Sequence, residues 1–474
     1  MSERNGLGFL DGVVDRTFGR LRAAWRDIAG QPRGAAPPGP ELVDGDIARA
    51  REQLRACLDG RGGEVAARAR AATLGRTYLA LNSDGRERFL RLLAEEFDVD
   101  RAALTAAAAR LVGAEGPRDR EAAEADLRAA LEAPRVRLLT QFNALPEGVK
   151  FLVDMRAELM ALARGDRVLA GLERDLRALL RSWFDIGFLE LKRITWNSPA
   201  ALLERLTVYE AVHEIRSWAD LKNRLEADRR CFAFFHPRMP DEPLIFVEVA
   251  LVKGMSDNVD ALLDESAPLG DPGSADAAIF YSISNCQRGL AGISFGNFLI
   301  KRVASDLAAE QPHLKIFATL SPVPGFRAWL DPRLAAGEEA LLLPAERKVL
   351  SELPTEKGAR SLAGVLARPH WHEDAELVQA VRAPLLRLSA RYLLLEKATQ
   401  GRALDLVEHF HLSNGARVER LNWLADRSEK GMQQSAGIMI NYLYPLDEVE
   451  ANQMAYAGEG KVNASSAIRS LART

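Results

Sequence analysis

The stretch "AAIFYSISNCQRGLAGISFGNFLIKRVASDLAAEQPHLKIFATLSPVPGF", residues 277–326, decides the fold of the second half of the chain. It begins with an apolar, strand-forming run and passes through a loop that contains glycines. It then continues as a helix and ends in a second strand-forming run that leads to Ser321. A helix between two strands packs on one face of a sheet, so this order predicts an α/β arrangement.

The flanking sequence extends the predicted sheet in both directions. Further strand-forming runs are "CFAFFHP" (231–237), "PLIFVEVALV" (243–252), "ARVERLNWL" (416–424) and "GIMINYLY" (437–444). A segment rich in Leu and Ala over residues 335–405 is predicted to be helical. We therefore predict a mixed α/β domain over residues 196–474.

The first half of the chain has helical periodicity. The runs "FLVDMRAELMAL" (151–162) and "VLAGLERDLRALLRSW" (168–183) each place leucines on one stripe at helical spacing. We predict an N-terminal helix and a Pro/Gly-rich linker over 1–45, followed by an all-α domain over 46–195 that serves as a scaffold or in oligomerisation. The whole chain is therefore predicted to be an α+β multidomain protein.

The composition excludes several classes of protein. A net charge of −3 over 474 residues leaves no excess of basic residues to follow a nucleic-acid backbone. The sequence contains no run of about 18 apolar residues, the length that a membrane-spanning helix needs. Three widely spaced cysteines form neither a disulfide framework nor a metal knuckle, which fits a reducing compartment. The N-terminus contains acidic residues and has no hydrophobic signal core, so we expect a cytoplasmic protein.

The loop that follows the strand-forming run "AAIFYSIS" has the features of an anion-binding turn. Gly289, Gly292 and Gly296 allow the backbone to approach a ligand closely, and the first N–H groups of the next helix favour a phosphate. The glycine spacing fits neither the dinucleotide-binding fingerprint nor the Walker loop. A plain turn without a ligand explains the same residues.

Two short sequence segments contain paired histidines and could therefore form a metal-binding site. They are "HWHED", with His370, His372 and Glu373, and "HFHLSNG", with His409 and His411. In a strand, side chains two residues apart share a face, so two imidazoles could bind one ion. Neither pair has a third ligand at an obvious spacing. Hydrogen-bonded structural histidines are the alternative, and we expect no metal.

Ser321 and His411 are the candidates for acid–base chemistry. Ser321 ends a strand-forming run immediately before "PVPG", and "FHLSNGARVERLNW" is typical of a short strand, a turn and a second strand, with His411 just before the turn. A serine and a histidine on one sheet could form a pair. A turn-initiating serine and a histidine beside a turn are the alternative without chemistry.

Longer blocks of the sequence resemble the malonyl-CoA decarboxylase family. These blocks are "YSISNCQRGLAGISFGNFLIKRV", "HLKIFATLSPVPGF", "FHLSNGARVERLNWLADRSEKG" and "GIMINYLYPL", together with "LKRITWNSP" and "RRCFAFFHP". The resemblance is nearly continuous from about residue 185 to about residue 445. Blocks of this length are far more specific than any of the short motifs.

The resemblance implies both a fold and an activity. The fold is a helical oligomerisation domain, usually found in a homotetramer, followed by a GNAT-like mixed α/β catalytic domain. The activity is the decarboxylation of malonyl-CoA to acetyl-CoA and CO2 without a cofactor, within fatty acid metabolism. Neither nucleic acid nor membrane is an expected partner.

The resemblance also assigns residues. It places the catalytic pair on Ser321 and His411. It places the coenzyme A loop on Gly289, Ala291, Gly292, Ile293, Ser294, Phe295, Gly296 and Asn297. Asn422 and Tyr442, on the two late strands, are further candidates for the lining of the site.

Two other functions remain open at this point. A GNAT-type acyltransferase would pass an acyl group from coenzyme A to an acceptor. A non-catalytic sensor would bind malonyl-CoA and leave it intact. Incubation of the protein with malonyl-CoA alone separates these functions from decarboxylation.

Overall fold

The computed structural model describes residues 19, 21–29, 38–59, 62–293, 299–337, 341–354 and 360–473. The chain divides into two compact units. Unit 1 comprises Met1–Glu190, Phe234–Leu244 and Asn285–Ser294, and unit 2 comprises Leu191–Ala233, Ile245–Ser284 and Phe295–Thr474. The predicted domain boundary near residue 195 stays a prediction.

Unit 1 is helical, as the periodicity predicts. Its helices are α1 (Asp44–Leu58), α2 (Gly63–Ala80), α3 (Ser83–Glu96), α4 (Arg101–Val112), α5 (Pro117–Leu131), α6 (Pro134–Gln141), α7 (Gly148–Leu162) and α8 (Arg167–Trp183). Side-chain caps begin several of them: Asp166 accepts hydrogen bonds from the N–H groups of Val168 and Leu169 at the start of α8.

The core of unit 1 is built on the two predicted leucine stripes and a group of aromatic rings. Leu169, Leu172, Leu176 and Leu180 of α8 are all buried. Phe151 of α7 contacts the rings of Trp25, Tyr78 and Phe142 at centroid distances of 5.0, 5.5 and 4.9 Å. Edge-to-face and tilted contacts of this kind stabilise a core beyond the area they bury.

Most residues of a mixed sheet belong to unit 2, and parts of its first four strands belong to unit 1. The strands are β1 (Glu190–Ile194), β2 (Arg229–His236), β3 (Met239–Val252), β4 (Ala277–Asn285), β5 (Ile316–Thr319), β6 (Ser321–Pro322), β7 (Arg417–Asn422) and β8 (Met439–Leu443). Their order is β1-β2-β3-β4-β5-β8-β6, and β7 also pairs with β8. β4 and β5 are parallel, whereas β8 is antiparallel to β5, β6 and β7.

Helices occur between the strands and after the last strand in the sequence. They are α9 (Ala200–Tyr209), α10 (Trp218–Asn223), α11 (Val259–Leu263), α12 (Leu299–Glu310), α13 (Phe326–Ala335), α14 (Pro344–Ser351), α15 (Leu362–Ala367), α16 (Ala375–Leu395), α17 (Leu406–Ser413), α18 (Glu429–Ser435), α19 (Val449–Glu459) and α20 (Ser466–Arg473). Within the described ranges, no helix is both long and apolar enough to cross a membrane.

Most of the predicted elements are confirmed. The strand–helix–strand unit of residues 277–326 forms β4, α12 and β5, and the late runs form β7 and β8. The fold class, helical region first and mixed α/β sheet second, is confirmed as well. The predicted short strand around His411 is wrong, because residues 406–413 form the helix α17. Asp405 caps that helix with its side chain, and the Asn414-Gly415 turn that ends it was the part of the pattern that the sequence revealed.

Candidate active site

Ser321 is fixed by backbone pairing at the point where β5 ends. Ala318 of β5 pairs with Leu443. β5 ends at Thr319, and after the single residue Leu320 the chain pairs with β8 again in β6, Ser321 with Ile440 and Pro322 with Met439. The residues "VPG" then turn the chain into α13, which begins at Phe326. Ser321 is only 6% exposed. Ser321 is therefore a buried residue on the edge strand β6, and the pairing of β6 with β8 fixes its backbone.

His411 lies near the end of α17. Asp405 caps this helix, and its Oδ1 accepts hydrogen bonds from the N–H groups of Val407 and Glu408. Its Oδ2 accepts a third bond from the N–H of Gly325, at 3.0 Å. One carboxylate thus holds both the helix of His411 and the turn that follows Ser321.

The two side chains form a pair. Ser321 Oγ lies 3.0 Å from His411 Nε2, although 90 residues separate them along the chain. On the other side of the imidazole, Nδ1 lies 2.8 Å from the hydroxyl of Tyr444. Ser321 Oγ also donates to Thr319 Oγ1 at 2.8 Å, and Thr319 Oγ1 accepts the backbone N–H of Tyr442. A continuous chain of hydrogen bonds therefore runs from Tyr444 through His411 and Ser321 to Thr319.

The direction of this chain fixes the imidazole tautomer. Since Ser321 donates its hydroxyl hydrogen to Thr319, its Oγ accepts from His411, and the proton of the neutral imidazole lies on Nε2. Nδ1 then accepts from the Tyr444 hydroxyl. His411 thus presents a neutral N–H donor towards Ser321.

Tyr442 and Asn422, the two lower-ranked candidates, have different places. The ring of Tyr442 stacks on the imidazole of His411, with centroids 4.5 Å apart and planes 25° apart. Asn422 donates to Asn441 Oδ1 at 2.8 Å, and Asn441 donates in turn to the carbonyl of Thr319 at 2.7 Å. Tyr442 therefore contacts His411 directly, whereas Asn422 supports the strand that carries Thr319.

Burial controls the protonation of the site. His411 is 2% exposed, and removal from water lowers the pKa of its imidazole to about 3. Burial likewise raises the pKa values of the Tyr442 and Tyr444 hydroxyls well above their usual range. At neutral pH the pair is therefore an uncharged serine beside an uncharged histidine, surrounded by protonated phenols.

One acidic side chain lies within a helical turn of His411. Glu408 is fully buried, and neither of its carboxyl oxygens has a hydrogen-bond partner among the residues that the structure describes. Burial, together with the nearby carboxylate of Asp405, raises the pKa of Glu408 well above its usual range. Burial therefore favours the protonated, uncharged form of the Glu408 carboxyl group.

The histidines of the two segments "HWHED" and "HFHLSNG" have different partners in the structure. His409 faces Tyr456, with Nδ1 2.7 Å from the hydroxyl, while His411 faces Ser321 and Tyr444. Residues two apart on a helix point in different directions, so the strand argument for one shared ion does not apply to this pair. His370, His372 and Glu373 lie on a short 3₁₀ turn, with their ligand atoms within 4.8 Å of one another.

The described part of the predicted coenzyme A loop is short. Arg288–Leu290 forms a 3₁₀ turn, and Gly292 has a left-handed φ of +73°. Gly289, Ala291, Gly292 and Ile293 belong to unit 1. Ser294, Phe295, Gly296 and Asn297 were assigned to the same loop from the sequence, and they lie outside the described residues.

A second buried polar cluster occurs in unit 2, and the sequence patterns gave no sign of it. Ser282 Oγ donates to Glu210 at 2.8 Å, and Ser284 Oγ donates to the same carboxylate at 3.2 Å. Arg224 pairs with Glu248 at 3.1 Å. Burial and the charge of Glu210 raise the pKa of Glu248 to about 8. The even spacing of Ser282 and Ser284 on β4 was the signal that could have shown one polar strand face.

Sequence reasoning also missed three residues that touch the pair or hold it. Thr319 and Tyr444 bond to Ser321 and His411, and Asp405 holds their two segments together. Tyr444 directly follows β8, and nothing in the local sequence indicates its partner. Asp405 could have been found from the sequence, since Asp before an apolar helical run is a common cap.

Comparisons with known proteins agree with the resemblance seen in the sequence. The family described as "Malonyl-CoA decarboxylase C-terminal domain" matches residues 187–474, and "Malonyl-CoA decarboxylase N-terminal domain" matches residues 97–184. Mitochondrial malonyl-CoA decarboxylase from Rattus norvegicus is 38% identical over 93% of this chain and 89% of its own length.

Solved structures give the same result. The structure of malonyl-CoA decarboxylase from Rhodopseudomonas palustris is 41% identical and has a TM-score of 0.82, with 90% of this chain and 99% of that chain covered. The structure from Agrobacterium vitis is 42% identical with a TM-score of 0.80, again over 90% of this chain and 99% of that one.

Proposed function

Since the chain belongs to the malonyl-CoA decarboxylase family, we propose that it converts malonyl-CoA to acetyl-CoA and CO2 with Ser321 and His411 as its catalytic pair. The observation that carries the proposal is the 3.0 Å contact between Ser321 Oγ and His411 Nε2 in a buried position. The family assignment supports the substrate, and the contact supports the pair.

The proposed chemistry uses the thioester as the electron acceptor. When the bond between the α-carbon and the carboxylate breaks, its electron pair forms an enolate whose charge rests largely on the thioester oxygen, and CO2 leaves. The protein must hold the carboxylate out of the plane of the carbonyl, place donors near the oxygen, and deliver one proton to the α-carbon.

The neutral imidazole suits the first two of these tasks. With its proton on Nε2, His411 donates to Ser321 Oγ and so strengthens the Ser321 hydroxyl as a donor to the thioester oxygen or the carboxylate, without bringing a full positive charge into the buried site. A bound anion raises the pKa of a neighbouring imidazole, so the site gains affinity for a proton as substrate enters. That proton passes through His411 or Ser321 to the α-carbon once CO2 has left.

Ser321 then has a role that follows from its partners. Its hydroxyl bonds to Thr319 and His411 in the described site, and a substrate carboxylate or enolate can replace Thr319 as the acceptor of its hydrogen. The exchange lets Ser321 hold the substrate while it keeps its bond to the imidazole. Tyr444 keeps Nδ1 bonded throughout.

Binding of the coenzyme A part by residues 289–297 belongs to the same proposal. The glycines in the sequence of this loop support it, as does its place before α12, since helix N-termini favour phosphate. Asn422 and Tyr442 act as supporting and lining residues in this scheme.

The experiment is incubation of the purified protein with malonyl-CoA and no acceptor. Decarboxylation predicts equal amounts of acetyl-CoA and CO2. Acyl transfer predicts no reaction until an acceptor is added, and a sensor predicts stoichiometric binding of intact malonyl-CoA. Absence of acetyl-CoA under these conditions refutes the proposal.

Self-association as a homotetramer through unit 1 is a further part of the proposal. α4 has no buried residue, and Val112 at its end and Leu131 at the end of α5 are 89% and 55% exposed. Exposed apolar side chains on a helix pair support an interface there. Light scattering of the wild type and of Val112→Asp measures the state directly, with a smaller assembly expected for the variant.

A cytoplasmic location is also proposed. The three cysteines Cys57, Cys231 and Cys286 are buried and lie far apart in the sequence, which supports a reducing compartment. Fractionation of cells that produce the tagged protein tests the location.

A further inference from the structure

The loop that follows β4 is held by helices of the same unit. Unit 1 contains residues 285–293 together with α7 and α8. Arg156 on α7 donates to the carbonyl oxygens of Gly289 at 2.5 Å and Ala291 at 3.0 Å. Arg177 on α8 donates to the carbonyl oxygen of Gly292 at 2.7 Å. Two arginines thus fix three backbone carbonyls within four consecutive residues.

Arg156 is itself held in one orientation. Its side chain is 2% exposed, and both Nε and Nη2 donate to Glu173 Oε1, at 3.0 and 2.7 Å. A buried guanidinium with a carboxylate partner and two carbonyl acceptors makes full use of its planar fork. A lysine at this position keeps the charge but cannot bond to both carbonyls and the carboxylate with the same geometry.

Close packing determines the path of the loop as well. A Cβ atom on Gly289 would lie 1.7 Å from the carbonyl oxygen of Val153 on α7, so only glycine fits at this position. At Gly292, where φ is +73°, a Cβ would lie 3.0 Å from Arg177 Nη2. The two glycines therefore allow contact with the helices as well as the backbone turn.

Fixing the carbonyls also fixes the N–H groups. In a trans peptide the N–H points away from the carbonyl of the same peptide plane. Because Arg156 holds the carbonyl of Ala291, the N–H of Gly292 is directed away from α7. An N–H held in this way is ready to donate to an anion, such as a phosphate group of a nucleotide.

We propose that Arg156, held by Glu173, is a positioning residue for the substrate: it sets the conformation in which the 289–293 loop binds the phosphate-bearing part of coenzyme A. The inference rests on the proposed function, which assigns coenzyme A to this loop. Helices predicted to serve as a scaffold or in self-association thereby acquire a second role, in substrate binding.

The test compares two buried arginines of unit 1. Arg135 is 4% exposed, pairs with Asp98 at 2.9 Å and Asp175 at 2.7 Å, and donates to the carbonyl of Ala94, far along the chain from the loop. Arg156→Lys and Arg135→Lys remove the same kind of interaction. Steady-state kinetics on malonyl-CoA and calorimetric titration with coenzyme A are measured for both variants and the wild type.

The expected result separates the two variants. Arg156→Lys raises KM for malonyl-CoA and Kd for coenzyme A by about tenfold, the equivalent of one lost bond to a charged group, while kcat stays within about twofold. Arg135→Lys leaves both constants at wild-type values. Equal KM and Kd values in the two variants overturn the proposal.

A milder pair covers the case in which Arg156→Lys does not fold. Arg177→Ala removes only the exposed bond to Gly292, and Arg174→Ala on the same helix is its control. We expect about a threefold rise in KM and Kd for Arg177→Ala alone, and identical values for the two variants overturn the proposal. Wild-type protein that binds coenzyme A without forming acetyl-CoA contradicts the proposed function and leaves this inference standing.

Discussion

The words "HWHED" and "HFHLSNG" look alike in the sequence, and the structure places their histidines in opposite surroundings. His411 is buried at 2% exposure, with Ser321 on one ring nitrogen and Tyr444 on the other. The side chain of His370 is 73% exposed and lies 3.4 Å from Glu373 on the same short turn. The partners of His411 come from distant parts of the chain, Ser321 on β6 and Tyr444 directly after β8, whereas the partner of His370 is a sequence neighbour. Buried, non-local partners are what make a histidine a candidate for chemistry.

The largest effect is expected when either side chain of the Ser321–His411 pair is removed. His411→Ala and Ser321→Ala should each lower kcat for malonyl-CoA decarboxylation by about 10²–10³, the usual cost of losing a preorganised donor. Acetyl-CoA formation measures the rate, and circular dichroism checks the fold. His370→Asn, a residue that tolerates the left-handed φ of 52° at that position, is the control and should keep wild-type turnover. Near-normal turnover in either pair variant would remove that residue from the proposed mechanism.

The next test uses two tyrosines that bond to neighbouring histidines. Tyr444→Phe leaves Nδ1 of His411 without its partner inside the site, and we expect kcat to fall by about tenfold. Tyr456→Phe removes the matching bond to Nδ1 of His409, at 2.7 Å, and should change kcat by less than about twofold. If both variants lose turnover equally, the Tyr444 bond is merely structural.

We expect acid to lower the stability of the protein because His411 is buried. The unfolded chain takes up a proton on His411 near pH 6.5, whereas burial keeps the folded pKa at about 3. Between these values the unfolded state binds more protons, so the free energy of unfolding falls as the pH is lowered from about 6.5 to about 3. Urea unfolding at several pH values should show a shallower loss in His411→Gln than in the wild type. The exposed control His370→Asn should follow the wild type, and an unchanged slope in His411→Gln would count against the burial argument.

The smallest effect is expected for metal. The ligand atoms of His370, His372 and Glu373 lie within 4.8 Å of one another, but the side chains of His370 and Glu373 are 73% and 70% exposed and are not held in place for an ion. Treatment with a chelator should leave turnover within error of the untreated enzyme. A loss that zinc restores, and that His370→Asn no longer shows, would place a functional ion at this turn.

The sequence was sufficient for the parts of the fold that local patterns specify. Apolar runs bounded by turn residues predicted β2, β3, β4, β5, β7 and β8, and leucine spacing predicted α7 and α8. Ser321 and His411 were predicted from long blocks that resemble a family, and the structure brings them within 3.0 Å. The Asn-Gly turn after His411 was also correct, although the element before it was assigned as a strand.

What the sequence could not supply depends on pairing between distant segments. Thr319 and Tyr444 meet the pair through the register of β5, β6 and β8, and no local pattern contains that register. The strand assignment of "FHL" was wrong because the residues suit either state, and the Asp405 cap together with tertiary packing decides for the helix. The roles of Arg156 and Gly289 were hidden because their contact joins residues 133 positions apart.

The carboxylate of Asp405 has a consequence for how this protein can vary. It bonds with one oxygen to the start of α17 and with the other to Gly325, four residues after Ser321. Asp405 therefore links the segments that carry Ser321 and His411 directly, and the roughly 80 residues between Gly325 and Asp405 form a loop that this link closes. Lengthening such a loop costs little entropy, about 0.6 kcal/mol for each doubling. We expect insertions in the exposed parts of that segment to leave the distance between Ser321 and His411 unchanged.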